Sequence, residues 1–358
     1  MIRNEMIMEE RKGQHKKSQH KKRYKHKRKM NINLLICSGI IIVLAGFFHT
    51  KKDKVMFSAE EQVVFPSINS SGVEQLQNIQ RSDKEINVED LYSSFAILID
   101  LTNDKVISEH NSRDKIYPAS LTKIMTAIVA IENTDDLEEV ITMPTNIFEK
   151  LYSENASMAG FQPGEKVKLK DLLYGILLPS GAESCMAFTE RISGSEEAFV
   201  ELMNQKAEEL RMRNTHFSNS TGLHETNHYS TVEDIAILLS YALKNESFRS
   251  AFTSSHYSTN PSTQHPGGFA FQNTMFKYMD STKVAGGEII GGKTGYTDEA
   301  GLCLASLANI RDKEYILVTA KADGTPYTEQ FHVLDAIDVY NQIDYMNQIK
   351  IERMRDTR

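Results

Sequence analysis

The distribution of apolar and polar residues changes twice between positions 91 and 345. The first stretch predicts a β-hairpin, because an apolar strand-like run at 95–101 is followed by a turn at 102–105 and a second strand at 106–110. In the middle stretch apolar residues recur at helical spacing. This predicts a cluster of helices at about 120–133, 171–178, 182–192, 195–212 and 231–244.

The last stretch returns to strands. Residues 288–293 predict a strand that ends at Lys293, and the runs 302–308 and 315–320 predict an antiparallel pair joined by a polar turn. A final helix is predicted from about 328 to 343. The order of these elements predicts an α+β fold, in which an antiparallel sheet has a helical cluster inserted between its first and later strands.

The N-terminal region differs from the rest in charge. Residues 1–30 hold 12 of the 41 basic residues but only 3 of the 48 acidic ones, and the apolar run 31–48 follows. Eighteen residues span roughly 27 Å as a helix, enough for a bilayer core. We therefore predict a basic cytoplasmic segment at 1–30, a transmembrane signal anchor at 31–48, a polar spacer at 49–90 and an extracytoplasmic body. A cleaved signal peptide is the alternative.

The body beyond residue 30 carries 29 basic and 45 acidic residues, so it is not expected to bind nucleic acid. Three cysteines, Cys37, Cys185 and Cys303, give no disulfide framework. We interpret them as small buried apolar residues, with a Cys185–Cys303 bridge left open.

Three short motifs indicate acyl-transfer chemistry. The first, Ser120-Leu121-Thr122-Lys123, opens a predicted helix, where a spacing of three puts both reactive side chains on one face. Ser180-Gly181-Ala182 lies in a loop between predicted helices, and Lys293-Thr294-Gly295 ends a predicted strand. Any one of these motifs alone is weak, because each occurs often by chance.

Each group has an expected role in that chemistry. Ser120 would be the nucleophile and a partly desolvated Lys123 its general base, with Ser180 relaying a proton to the leaving amine. Substrate would be bound by Lys293 and Thr294, which would grip a carboxylate, and by the bare glycine edge of the strand at Gly295. The backbone N–H groups of Ser120 and Tyr296 would form an oxyanion hole.

The motifs and their flanks resemble the low-molecular-mass penicillin-binding proteins, the serine D-Ala-D-Ala carboxypeptidases. The resemblance rests on PASLTKIMTA (118–127), GEKVKLKDLLYGILLPSGAES (164–184), NSTGLHETNHYSTVEDIA (219–236) and GGKTGYTDEAGLCLAS (291–306). It implies a β-lactamase/D,D-peptidase-like catalytic domain, assigned to 91–348, with a charged tail at 349–358. It also implies a peptidoglycan stem pentapeptide as substrate, β-lactams as covalent inhibitors and no cofactor. Some anchored members act in glycopeptide resistance, which makes that role a hypothesis.

Position 182 departs from the family pattern. Members of the family usually have Ser-x-Asn in the second motif, whereas this chain has alanine at the third position. Alanine cannot offer the asparagine amide that, in the family, contacts the substrate backbone and the catalytic lysine. Glu183 could fill part of the space that the asparagine would occupy. Altered activity, or a catalytically silent penicillin-binding or sensor protein, is therefore an alternative.

Two further alternatives use other chemistry. His224-Glu225-Thr226-Asn227-His228 matches the zinc-peptidase pattern H-E-x-x-H. That pattern requires a helix, and this segment lacks helical periodicity and resembles a loop in the family. A β-lactamase would need a separate glutamate for deacylation, and Glu154 and Glu165 have no recognisable context for it. We therefore predict no metal site.

Overall fold

A computed structural model describes residues 80–81 and 86–356 of the protein. Within these residues the strands are β1 (Gln80–Arg81), β2 (Phe95–Asp100), β3 (Lys105–His110), β4 (Val140–Thr142), β5 (Lys166–Lys168), β6 (His256–Ser258), β7 (Ala270–Gln272), β8 (Lys283–Val284), β9 (Gly287–Thr297), β10 (Gly301–Ile310) and β11 (Lys313–Ala322).

The helices of the described chain are α1 (Thr122–Glu132), α2 (Ile147–Ser153), α3 (Leu169–Leu177), α4 (Ala182–Ser193), α5 (Glu196–Glu209), α6 (Val232–Ala242), α7 (Glu246–Phe252) and α8 (Phe331–Asp356). Two 3₁₀ turns, Ala119–Leu121 and Phe276–Tyr278, accompany them. Glu196 and Val232 begin helices whose N-caps, Ser195 and Thr231, accept a bond from a backbone N–H in the first turn.

The main sheet has seven strands in the spatial order β1-β3-β2-β11-β10-β9-β8. All neighbours are antiparallel except β1 and β3. All of the α-helices from α1 to α7 lie in the chain between β3 and β9. The predicted α+β fold, an antiparallel sheet with an inserted helical cluster, is therefore confirmed.

Both faces of the sheet are covered at its centre, which explains why β2 and β10 are buried along almost their whole length. In β2, Ile97 and Ile99 pack into the core shared with the helical cluster, whereas Ala96 and Leu98 pack into a second core with α8. Successive side chains of a strand point to opposite faces, so two covered faces require a continuous apolar run.

The hairpin between β10 and β11 turns over only two residues, Arg311 and Asp312. Both have positive φ, 50° and 61°, as a two-residue turn matched to strand twist requires. The predicted runs covered only 302–308 and 315–320, so both strands are longer than predicted.

Three predicted boundaries are wrong. Strand β9 does not end at Lys293 but continues to Thr297, because Thr297 still pairs with Gly301 across the following turn. The last helix continues to Asp356, since no glycine or proline follows Ile343 to end it. The body begins before Leu91, because Ile86 and Val88, assigned to the spacer, are buried in the second core.

The predicted cytoplasmic segment, the anchor and the spacer up to residue 79 lie outside the described residues. Within the part that the structure describes, none of the helices combines the length and the apolar character needed to cross a bilayer.

Leu317 tests the second core. It is fully buried on β11, and we expect Leu317→Ala to lower the free energy of unfolding by about 2–5 kcal/mol through lost burial and a residual cavity. Leu334→Ala on α8 is the matched control, because that leucine is 39% exposed. Guanidinium unfolding should separate the two variants, and equal stability would contradict the packing described.

Candidate active site

Ser120 lies in the 3₁₀ turn Ala119–Leu121 that leads directly into α1. The turn starts after Pro118, and Ala119 has a positive φ of 47°. Lys123 is in the first turn of α1, and its Nζ donates to Ser120 Oγ over 3.1 Å. The structure therefore brings the serine and lysine of the first motif into direct contact, one helical turn apart.

The second and third motifs also meet. Lys293 Nζ donates to Ser180 Oγ over 2.9 Å and to the carbonyl of Thr294 over 2.8 Å. Ser180 has a positive φ of 69° in the tight break between α3 and α4. That conformation is uncommon for a residue other than glycine and is typical of functional sites.

Gly295 joins the two pairs. A Cβ at this position would lie 3.0 Å from Ser120 N and 3.2 Å from Ala119 Cβ, so only glycine lets β9 approach the serine turn this closely. The sequence interpretation, in which the glycines leave the edge bare for a peptide, is incomplete. Gly291 and Gly292 also contact protein, at Phe252 and Met275.

An edge of β9 is nevertheless open. Its neighbour β8 pairs only with Gly287 and Glu288, so in the described structure the rest of β9 has a strand partner only in β10. Asn273 Nδ2 donates to the carbonyl of Gly292, so an extended peptide could add to this edge by backbone hydrogen bonds only beyond that residue.

Both lysines are buried, with 2% of Lys123 and none of Lys293 exposed. Burial lowers the pKa of Lys123, against smaller opposing effects of Cys185 and Glu183. Burial also lowers the pKa of Lys293, well below its ordinary value, and the charge of Lys123 adds to this. A lysine whose pKa is lowered loses its proton more readily and is better able to act as a base.

The turn Asn219-Ser220-Thr221-Gly222 is a part of the site to which the sequence analysis assigned no role. Its Thr221 carbonyl accepts the second hydrogen bond from Lys123 Nζ. Asn219 Oδ1 accepts from Gly222 N over 2.7 Å and shapes the turn. The only sequence signal is the turn-forming composition of Asn219-Ser220-Thr221-Gly222 inside the family-like segment.

Ala182 is 1% exposed and begins α4, with its N–H donated to Ser157 O over 2.7 Å. Glu183 does not replace the missing amide, because its Oε1 accepts from the N–H groups of Ala159 and Gly160. Burial raises the pKa of this carboxyl group despite those bonds. Glu183 therefore holds the 157–160 loop through Oε1, so this oxygen does not supply the missing amide contact.

The remaining predicted substrate-binding residues follow Lys293 along β9. Thr294 Oγ1 shares a hydrogen bond of 2.6 Å with Thr274 Oγ1, and the Tyr296 hydroxyl donates to Asp298 over 2.6 Å. The Tyr296 side chain is thus bonded to Asp298, whereas the predicted oxyanion role concerns the backbone N–H of Tyr296.

The segment that matches H-E-x-x-H is not a helix. His228 is buried, and burial lowers its pKa to about 3. Its Nδ1 accepts from Ser218 N and its Nε2 bonds Thr122 Oγ1 over 2.7 Å, so both ring nitrogens are used within the protein. His224 contacts Tyr117 and Glu299 instead. The histidines therefore lack the arrangement that the zinc pattern requires.

Two other open questions are also answered by geometry. Cys185 and Cys303 are free buried thiols, so the alternative of a bridge between them is wrong. Burial raises the pKa of Cys185 to about 12 and of Cys303 to about 11, as expected for inert thiols.

The carboxylate of Glu165 is fixed by hydrogen bonds to Ser262 and to His265, whose Nδ1 lies 2.8 Å from Glu165 Oε1. This arrangement gives no support to a deacylating role for Glu165.

The chain matches a family model for D-alanyl-D-alanine carboxypeptidase over residues 80–324. It is 35% identical over 244 residues to the D-alanyl-D-alanine carboxypeptidase DacF of Bacillus subtilis, covering 68% of this chain and 60% of that one. Identity to DacD of Escherichia coli is 27% over 248 residues, covering 67% and 61%. The chain thus spans about 60% of the length of these relatives. It belongs to the D-alanyl-D-alanine carboxypeptidase family, peptidase family S11.

Solved structures show the same fold. The Streptomyces K15 DD-transpeptidase superimposes with a TM-score of 0.63 at 26% identity, covering 70% of this chain and 97% of that chain. A D-alanyl-D-alanine carboxypeptidase from Mycobacterium tuberculosis gives a TM-score of 0.62 at 21% identity, covering 74% and 95%. The β-lactamase/D,D-peptidase-like fold expected from the motifs is therefore confirmed.

Substitution of Gly222 tests whether this residue fixes the position of the turn that carries Ser120. Its φ is 81°, and a Cβ there would lie 2.0 Å from the carbonyl oxygen of Ala119. We expect Gly222→Ala to displace Ser120 and slow acylation by penicillin about a hundredfold, because small misplacements of reacting groups are costly. Gly194→Ala, at a similar φ of 73° with open space around it, is the control. Equal acylation rates would contradict this prediction.

Ala182 tests the departure from the family pattern. We expect Ala182→Asn to raise the acylation rate by up to about tenfold, because the new amide can supply one hydrogen bond to the substrate or to Lys123. Ala182→Leu has a similar added volume without the amide and should not gain. An unchanged or lower rate in the asparagine variant would show that the site is adapted around alanine.

Proposed function

We propose that the protein is a serine-type carboxypeptidase that removes the terminal D-Ala from peptidoglycan pentapeptides. The observation that carries this proposal is the Ser120–Lys123 contact of 3.1 Å around a buried amine. The name of the family to which the chain belongs supports the choice of substrate.

In the proposed acylation step, neutral Lys123 takes the proton of Ser120 Oγ, and the oxygen attacks the carbonyl carbon of the penultimate D-Ala. The backbone N–H groups of Ser120 and Tyr296 stabilise the oxyanion. When the C–N bond breaks, Ser180 passes a proton to the leaving amine of the terminal D-Ala and regains one through its contact with Lys293. Lys123 then releases to solvent the proton that it took from Ser120. In its neutral form it takes a proton from the water that attacks the ester, and it passes this proton to Ser120 Oγ as the ester bond breaks.

Lys293 changes its charge state with the substrate in this scheme. Without substrate its pKa is lowered because it is buried near Lys123. A substrate carboxylate within ~4–6 Å favours the protonated form of a lysine. Binding therefore charges Lys293, and the charged amine, with Thr294, holds the carboxylate that marks a C-terminal residue.

We further propose that residues 31–48 anchor the protein in the cell membrane, with residues 1–30 inside and the catalytic domain outside. The apolar run and its basic flank support this topology. The proposed substrate lies outside the membrane, which agrees with it. β-Lactams, which mimic the D-Ala-D-Ala terminus, would acylate the same serine.

Labelling with a fluorescent penicillin tests the proposed function. We expect covalent labelling of the wild type that is lost in Ser120→Ala, retained in the exposed control Ser281→Ala and indifferent to EDTA. Release of D-Ala from a pentapeptide separates a working carboxypeptidase from a silent binder. Peptidase activity that survives Ser120→Ala and is abolished by EDTA would overturn the proposal in favour of a metallopeptidase.

A further inference from the structure

Glu196, in the first turn of α5, directs its carboxylate toward the protein interior. Its side chain is only 14% exposed. Oε1 accepts two hydrogen bonds from Ser220, one from the backbone N–H over 3.0 Å and one from Oγ over 2.8 Å. The other oxygen, Oε2, lies 3.6 Å from Lys150 Nζ. A carboxylate that accepts two bonds from one residue fixes that residue in position.

Ser220 is also held from the opposite side. It is fully buried, and its carbonyl accepts from Thr126 Oγ1 on α1 over 2.6 Å. Each polar group of Ser220 therefore has a partner outside its own turn. The next carbonyl along the chain, that of Thr221, is the acceptor for Lys123 Nζ.

We propose that Glu196 is a positioning residue for the reaction, which holds the Ser220–Thr221 turn so that the Thr221 carbonyl keeps Lys123 directed at Ser120. This inference rests on the proposed function. Glu196 acts through Ser220 and Thr221 and does not touch the reacting atoms.

The consequence concerns both geometry and charge. Lys123 faces Lys293 from β9, Cys185 and Glu183 from α4, and His228 from the loop before α6. Burial lowers the pKa of Lys123 and outweighs the opposing effects of Cys185 and Glu183. A loosened turn would admit water to the amine. Water stabilises the protonated form, so the pKa of Lys123 would rise toward its ordinary value and less neutral base would be present at neutral pH.

The experiment measures the rate of acylation by a fluorescent penicillin from pH 5 to 10 in the full-length protein, together with thermal unfolding. Glu196→Ala should slow acylation at neutral pH by about a hundredfold. It should also move the acidic limb of the profile, on which the rate rises as Lys123 loses its proton, to higher pH. Glu196→Gln retains an acceptor oxygen and should recover most of the rate. Glu201→Ala, at an exposed position on the same helix, should match the wild type.

A second variant keeps the test decisive if Glu196→Ala does not fold. Ser220→Ala removes one of the two bonds to Glu196 and should shift the limb in the same direction by a smaller amount. An unshifted limb in the variants that fold, with a change in thermal stability alone, would assign Glu196 a merely structural role and overturn the inference. Absence of labelling in the wild type would instead overturn the proposed function, and this inference with it.

Discussion

The burial of two lysine amines without a carboxylate partner is the constraint on which the rest of the site depends. Among the residues that the structure describes, neither Lys123 nor Lys293 forms an ion pair, and their amines bond only hydroxyl and carbonyl oxygens. A buried, unpaired ammonium group is costly, so both amines are pushed toward their neutral form. The free-energy cost of burying the charged amine thus favours neutral Lys123, which can then act as a base for Ser120.

The fold supplies this environment by bringing the sheet and the helical cluster together at one point. The sheet contributes Lys293 on β9, and the helical cluster contributes Ser120 and Lys123 at the start of α1 and Ser180 before α4. Close contact between the layers depends on Gly295 and Gly222, which lie against the peptide of Ala119 and Ser120. The glycines thus have a packing role that decides where the nucleophile lies.

The parts of the site that depend on local sequence patterns could be predicted, whereas the parts that depend on contacts between distant residues could not. The Ser120–Lys123 pair follows from helical spacing, and the apolar strands follow from a sheet covered on both faces. Thr221 and Glu196 were missed because their contacts, with Lys123 and Ser220, join residues 98 and 24 positions apart. No spacing rule encodes such a contact. The end of β9 was misplaced for a similar reason, because its last residues are set by pairing with β10.

The charge state of Lys123 is the central claim, and its pKa can be measured directly. Lysine side chains labelled with ¹³C and ¹⁵N would be titrated by NMR, with Lys123→Arg and Lys293→Arg used to assign the two buried signals. The account predicts that the Lys123 signal titrates below the ordinary lysine pKa in the free protein. Titration of Lys123 at its ordinary pKa would contradict the account, because the buried amine would then be charged and unable to accept the proton of Ser120.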